Sequence, residues 1–182
     1  MHLVILDRDG VINFDSDEYV KSPAEWRPIP GSLEAIAQLN RAGYRVVVAT
    51  NQSGVGRGLF DIETLNAIHE RMRAQLGEVG GSIDAIFFCP HRPQDDCACR
   101  KPKPGLLLDI AARLRVSLAG VPVIGDSRGD VESALAAGGW PILVRTGKGL
   151  RTLAEHGNPE DVPVYDDLAA AVADLLAPAP AS

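Results

Sequence analysis

Five short apolar runs punctuate this chain, at 3–6, 45–49, 83–88, 121–125 and 141–144, each rich in Val, Ile, Leu or Phe. Segments with helical apolar spacing lie between them. This alternation constrains the fold more than any other feature. Strands joined by helices form βαβ units, and such units pair in parallel with helices on both faces of the sheet. Runs that are apolar at successive positions read as strands buried on both faces. The expected architecture is therefore α/β: a three-layer, doubly wound, mainly parallel sheet. Ser32 to Ala42 carries Leu33, Ile36, Ala37 and Leu39 on one face, and Gly43 suits a helix stop. Asp61 to Leu76 opens on a capping-box-like Asp61-Ile-Glu-Thr64. Pro104 to Leu114, Asp130 to Ala137 and Asp167 to Leu176 complete the expected helices. A chain of 182 residues suits one well-cored domain and is short for two. Residues 1–176 are expected to form that domain, with 177–182 a disordered tail.

Composition excludes some functions. A net charge of −6, with no run of Lys or Arg, argues against a nucleic-acid partner. No apolar stretch approaches the roughly 20 residues of a membrane span, and the amino terminus lacks a signal-peptide pattern. A cytoplasmic protein is expected, and without an obvious interface stripe, a monomer.

The polar residues that end the apolar runs carry the chemistry. The first run leads into Asp7-Arg8-Asp9-Gly10. Two aspartates two apart on a strand point the same way, repel, and call for a cation. The same residues also read as a strand followed by an Asp-Gly turn. The second run ends in Thr50-Asn51-Gln52-Ser53-Gly54, hydroxyls and amides suited to phosphate oxygens, or to a polar turn. Arg100 and Lys101 stand before a helix start, and Gly125-Asp126-Ser127-Arg128-Gly129-Asp130 ends the fourth run. Open parallel sheets bind ligands at the carboxyl ends of their strands. Together these residues place a nucleophile, a site for a divalent cation and phosphoryl-oxygen donors on one sheet edge, the equipment of phosphoryl transfer.

All three cysteines lie in one loop, as Cys89, Cys97 and Cys99, with His91 two residues from the first. Three thiolates and an imidazole match a closed, four-coordinate structural zinc site. It directly precedes Arg100 and Lys101. His2, His69 and His156 have no such neighbours and read as surface or helix residues without a role. Trp26 and Trp140 read as packing. Gly147-Lys148-Gly149 lacks the earlier glycine of a Walker loop, since position 142 is isoleucine.

Asp7-Arg-Asp9-Gly, Thr50, Lys101 and Gly125-Asp126-x-x-x-Asp130 resemble, in order, the four motifs of the haloacid-dehalogenase (HAD) superfamily. The resemblance covers nearly the whole chain and implies a HAD-like Rossmannoid fold. The spacing from Asp9 to Thr50 leaves no room for a cap domain. It also implies that Asp7 accepts the phosphoryl group as an aspartyl-phosphate. Asp9 would protonate the leaving alkoxide and then activate water, which calls for a raised pKa. Thr50 and Lys101 would hold the transferred phosphoryl oxygens. Mg²⁺ would be held by Asp7, the carbonyl of Asp9 and Asp126, with Asp130 orienting that shell.

The wording of the motifs, with Cys-x-His and Cys-x-Cys-Arg-Lys-Pro, is similar to a subgroup that holds heptose-1,7-bisphosphate 7-phosphatases and histidinol-phosphate phosphatases. The first branch implies hydrolysis of a C7 phosphate in heptose precursor synthesis for lipopolysaccharide or related glycans. The short gap between His91 and Cys97 is like the second branch. On the heptose reading, Arg100 meets the remaining C1 phosphate, and Asp15 and Glu18 reach sugar hydroxyls. Asn51, Gln52, Ser53 and Ser127 complete the expected substrate contacts. A phospho-acceptor signalling domain, which also uses aspartate, Mg²⁺, a hydroxyl and a lysine, is the alternative from another class; Asp9 and the position of the nucleophile on the first strand argue against it.

Overall fold

The computed structural model describes residues 2–158 and 162–178. Its strands are β1 (His2–Leu6), β2 (Tyr44–Asn51), β3 (Ala85–Cys89), β4 (Pro122–Gly125), β5 (Trp140–Val144) and β6 (Val164–Tyr165). They form one sheet in the order β3-β2-β1-β4-β5-β6, and every pairing is parallel. The helices are α1 (Ser32–Arg41), α2 (Ser53–Gly56), α3 (Ile62–Glu78), α4 (Gly105–Leu114), α5 (Arg128–Ala136), α6 (Gly149–His156) and α7 (Leu168–Leu175). β1 is central, and the strand order reverses beside it. A crevice therefore opens at the carboxyl ends of β1, β2 and β4.

Successive strand residues supply opposite faces. Val4, Leu6, Val46, Val48, Ile124 and Ile142 pack with Ile36 and Leu39 of α1, Ile68 and Met72 of α3, and Leu168 of α7. Leu3, Ile5, Val47, Ala49 and Val123 pack with Leu107 and Ile110 of α4 and Ala134 of α5. The sheet is thus covered on both sides, as the apolar runs require. Each fully buried side chain such as Ile5 or Leu6 contributes roughly 1.5–3 kcal/mol of transfer free energy.

The expected helices are present, shifted by one or two residues at their ends. Asp61 caps α3 by accepting from the Thr64 N–H at 2.8 Å. Gly43 follows α1 with φ +84°, a conformation that favours glycine. The long loop 12–30 is anchored rather than loose. Trp26 in it is 1% exposed, the Ile29 N–H donates to the Ile12 carbonyl at 2.9 Å, and Ser32 Oγ donates to the Val11 carbonyl at 2.8 Å. Trp140, by contrast, is partly exposed at the start of β5. Of the expected tail, residues 179–182 lie outside the described residues. Among the described residues, no helix is long and apolar enough to cross a membrane.

Candidate active site

β1 and β4 deliver the carboxylates. The Asp7 N–H donates to the Ile124 carbonyl at 2.9 Å, so the nucleophile candidate still belongs to the ladder and is held by the backbone. Gly10 then turns the chain with φ +85°, and a Cβ there would collide with Asp126 Oδ2. Asp126 follows β4, and its Oδ2 accepts from the Lys148 N–H at 2.7 Å. Asp7, Asp126 and Asp130 each place a carboxylate oxygen within 4.8 Å of the others.

Lys101 sits among them, 8% exposed. Its Nζ lies 2.5 Å from Asp130 Oδ1 and 3.1 Å from Asp7 Oδ1, and donates to the Ala49 carbonyl at 2.9 Å. Burial opposes its charge, but Asp130 and Asp7 outweigh burial and hold the ammonium above its ordinary range. Asn51 fixes the lysine through the backbone. Its Oδ1 accepts from the Lys101 N–H at 3.2 Å and its Nδ2 donates to the Lys101 carbonyl at 3.1 Å. The second oxygen of Asp130 accepts from Ser127 Oγ at 2.5 Å, in a capping box at the start of α5.

The two aspartates of the first motif have different surroundings. Burial pushes Asp7 up to about 7 despite the Lys101 charge, with Asp130 and Asp9 adding to the rise. Burial also pushes Asp126 up to about 8, helped by Asp130 and Asp7. Asp9 moves the other way. Burial opposes its charge, yet the Arg8 guanidinium and hydrogen bonds from Asn13 and Gln52 hold its carboxyl below the usual range. Arg8 Nη2 donates to Asp9 Oδ1 at 2.9 Å, Asn13 Nδ2 to the same oxygen at 2.9 Å, and Gln52 Nε2 to Oδ2 at 2.7 Å. The expected raised pKa of Asp9 is therefore absent. The donors around it stabilise the carboxylate, the form that accepts a proton.

Around these groups lies a cavity of about 360 Å³, lined in part by Asp7, Asp9, Asp15, Thr50, Asn51, Gln52, Ser53, Arg100, Lys101, Asp126, Ser127 and Lys148. All the predicted catalytic and substrate residues reach it except Glu18, which is exposed on the outer side of its loop. Gln52 bridges Asp9 to Thr50 Oγ1, the latter at 3.0 Å. Arg100 Nη1 donates to the His91 carbonyl at 3.3 Å, which ties it to the cysteine loop.

Two residues in this neighbourhood were not singled out by the sequence. Lys148 lines the cavity from the loop after β5. The signal was the pair of glycines around it, set aside because the Walker spacing fails. His69 is only 6% exposed, and its Nε2 accepts from Arg8 Nη1 at 3.1 Å. Burial, then the Arg8 charge, pushes its pKa down to about 3, so it is a neutral buried acceptor rather than a helix residue without a role.

On the far side of Lys101, Cys89 Sγ lies 3.5 Å from Cys97 Sγ and 3.2 Å from Cys99 Sγ, and His91 Nδ1 lies 3.6 Å from Cys89 Sγ. A tetrahedral zinc with bonds of about 2.3 Å separates its sulfurs by roughly 3.8 Å, so this donor set needs only a slight expansion to hold one. Burial pushes the Cys89 thiol up to about 12, a cost that a divalent soft-ligand cation removes by taking the thiolate. The all-oxygen set of Asp7 and Asp126 instead suits a hard cation such as Mg²⁺.

The sheet order, the carboxylates on β1 and β4 and the buried lysine are those of a HAD-like hydrolase, and the family model described as HAD-hydrolase-like matches residues 98–171. A Bordetella bronchiseptica protein named D-glycero-beta-D-manno-heptose-1,7-bisphosphate 7-phosphatase is 59% identical over 176 residues, 97% of this chain and 98% of its own. A Pseudomonas putida protein of the same name is 56% identical, covering 97% of this chain and 100% of its own. The crystal structure of D,D-heptose 1,7-bisphosphate phosphatase from B. bronchiseptica, complexed with magnesium and phosphate, superposes with a TM-score of 0.95, covering 97% of this chain and 98% of that one. The chain belongs to the family of D-glycero-beta-D-manno-heptose-1,7-bisphosphate 7-phosphatases.

Proposed function

We propose that this protein is a Mg²⁺-dependent phosphatase that removes the C7 phosphate of D-glycero-beta-D-manno-heptose 1,7-bisphosphate. The β anomer follows the name of its relatives. The observation that carries the chemistry is the cluster of Asp7, Lys101, Asp130 and Asp126 at one sheet edge. The histidinol-phosphate alternative rests on the length of the cysteine loop alone, and loops change length readily. We further propose one catalytic unit over 1–176, acting as a cytoplasmic monomer.

An Asp7 carboxylate oxygen attacks the phosphorus of the C7 phosphate. The bond from phosphorus to the C7 oxygen breaks, and Asp9 gives a proton to the leaving alkoxide, a proton it must hold against the donors that favour its carboxylate. Asp9 is then the carboxylate that Arg8, Asn13 and Gln52 stabilise. It takes a proton from a water, whose oxygen attacks the phosphoryl group and releases inorganic phosphate and Asp7. Thr50 and Lys101 donate to the transferred oxygens. A Mg²⁺ ion held by Asp7, the Asp9 carbonyl and Asp126 neutralises charge on the phosphoryl group. Asp130, taken up by Lys101 and Ser127, orients rather than ligates. Arg100 faces the retained C1 phosphate, where a planar guanidinium suits the oxygens. Cys89, His91, Cys97 and Cys99 would hold a structural zinc, which would fix the loop that carries Arg100 and Lys101.

Phosphate release from the heptose bisphosphate and from histidinol phosphate, with and without Mg²⁺, tests this reading. The expected result is Mg²⁺-dependent release of one phosphate per heptose bisphosphate, with the C1 phosphate retained. A higher kcat/KM for histidinol phosphate overturns it. Lys101→Met is expected to lower kcat about 10²–10³-fold, the scale of one lost charged donor, in steady-state assays. A loss under tenfold would contradict the role given to Lys101.

A further inference from the structure

We infer that Lys148 is a positioning residue that latches the tip of the 12–30 loop over the cavity, and so presents Asp15 to the sugar. This rests on the heptose bisphosphate reading above. The Lys148 backbone is fixed first. Gly147, at φ +59°, packs where a Cβ would collide with Gly10 Cα and Asp126 Oδ2, and a Cβ on Gly149 would collide with the Val144 carbonyl. Only glycine fits on either side, which accounts for the Gly-Lys-Gly sequence without a Walker loop. The Lys148 N–H then donates to Asp126 Oδ2 at 2.7 Å, a bond that any side chain at 148 would keep.

The side chain does a separate task. Lys148 Nζ crosses to Asp15 Oδ2 at 3.3 Å, and the two side chains are 45% and 19% exposed. The base of the loop is anchored through Asn13, Ile12 and Trp26. The tip is not. Among the described residues, its other hydrogen bonds are local: Ser16 N–H to Asp15, Glu18 N–H to Ser16 Oγ, Tyr19 N–H to the Ser16 carbonyl, and Lys21 Nζ to the Glu18 carbonyl. The Lys148–Asp15 pair is thus the tie that joins the tip to the β5–α6 side of the cavity. In an uncapped site, such a tie restricts the tip before the sugar arrives and reduces the ordering cost of binding.

Lys148→Met, Asp15→Asn and the double variant are to be assayed on the bisphosphate. Lys148→Met is expected to raise KM about three- to fivefold with kcat reduced less than about 1.5-fold, the scale of one partly shielded ion pair. The double variant is expected to be no worse than Asp15→Asn alone, and Lys148→Arg to recover most of the KM. If Lys148→Met is poorly folded by thermal melting, Lys148→Gln reads the same split. Multiplying effects of the two single variants, or a loss in kcat with KM unchanged, overturns the latch while leaving the proposed activity intact. A wild-type protein that releases no phosphate from the bisphosphate overturns both.

Discussion

Asp7→Asn is expected to abolish phosphate release, by at least about 10⁴-fold in kcat, and to leave a more heat-stable protein when no divalent cation is present. The rate effect follows from losing the nucleophile, since an amide nitrogen cannot replace the attacking carboxylate oxygen. The stability effect follows from the surroundings of Asp7. Burial and the neighbouring Asp130 and Asp9 raise its pKa from 3.8 to about 7, although Lys101 pulls it down. The folded state therefore binds a proton that the unfolded chain has released, between about pH 4 and 7. Stability contributed by that proton is present below the unfolded value and is lost as pH rises through the folded one. Above about pH 7 the wild type carries a buried carboxylate that it disfavours by an amount on the order of a few kcal/mol, and the amide does not. The variant is expected to melt roughly 3–8 °C higher than wild type at pH 8, with the gap narrowing toward pH 5. Added Mg²⁺ is expected to raise the wild-type melting temperature and to close the gap, because the cation compensates the charge. Parallel melts at pH 5 and 8, with and without Mg²⁺, read all of this. A variant that melts below wild type at pH 8 without cation would contradict the account of strained carboxylates.

The same physics decides what could be read from the residues alone. β1 to β5 were legible because each is apolar at successive positions, the mark of a strand covered on both faces. β6 was not, since Val164 and Tyr165 give too short a run to show any period. α6 was missed because it is only eight residues long, so the spacing of Leu150, Leu153 and Ala154 is too brief to stand out as a helical period, and Leu150 is exposed. The catalytic residues were legible as strand-end motifs, and the cavity gathers all of them with every predicted substrate residue but Glu18. What they do to one another was not. Asn51 and Gln52, expected against substrate, are seen holding Lys101, Asp9 and Thr50. The protonation preference of Asp9 came out opposite to expectation, because it depends on where Arg8, Asn13 and Gln52 point. No spacing rule carries that information. His69 escaped for a similar reason: its partner, Arg8, is sixty-one residues away in sequence and is buried between two charged neighbours.

On the proposed zinc site, removing the metal is expected to be the most damaging change to stability, and to reach the chemistry through Lys101. Cys89 is buried at the end of β3, in register with Asn51 of β2. Asn51 in turn clamps the Lys101 backbone from both sides. Cys99 is two residues before Lys101, so the cysteine loop and the strand pair hold the lysine between them. A zinc ion held by Cys89, His91, Cys97 and Cys99, as proposed, would close that frame, and structural zinc sites in small peptides bind with about 10–16 kcal/mol of apparent free energy. The domain has its own core, so only part of that amount supports the whole fold. Cys89→Ser is expected to lose the metal, to melt at least about 10 °C lower, and to lose about 10²-fold or more in kcat. The rate loss arises because a lysine displaced by about an ångström no longer meets both Asp7 and the phosphoryl oxygens. Metal analysis of the purified protein is expected to find one zinc per chain in wild type and none in the variant. Hydrogen exchange is expected to quicken across 89–103 and at Asn51, while β1 and β4 stay protected. A variant that loses zinc yet melts within about 2 °C of wild type would show that the loop is held by packing alone. Unchanged exchange at Asn51, with kcat lost, would show that zinc acts on the reaction by some route other than the frame around Lys101.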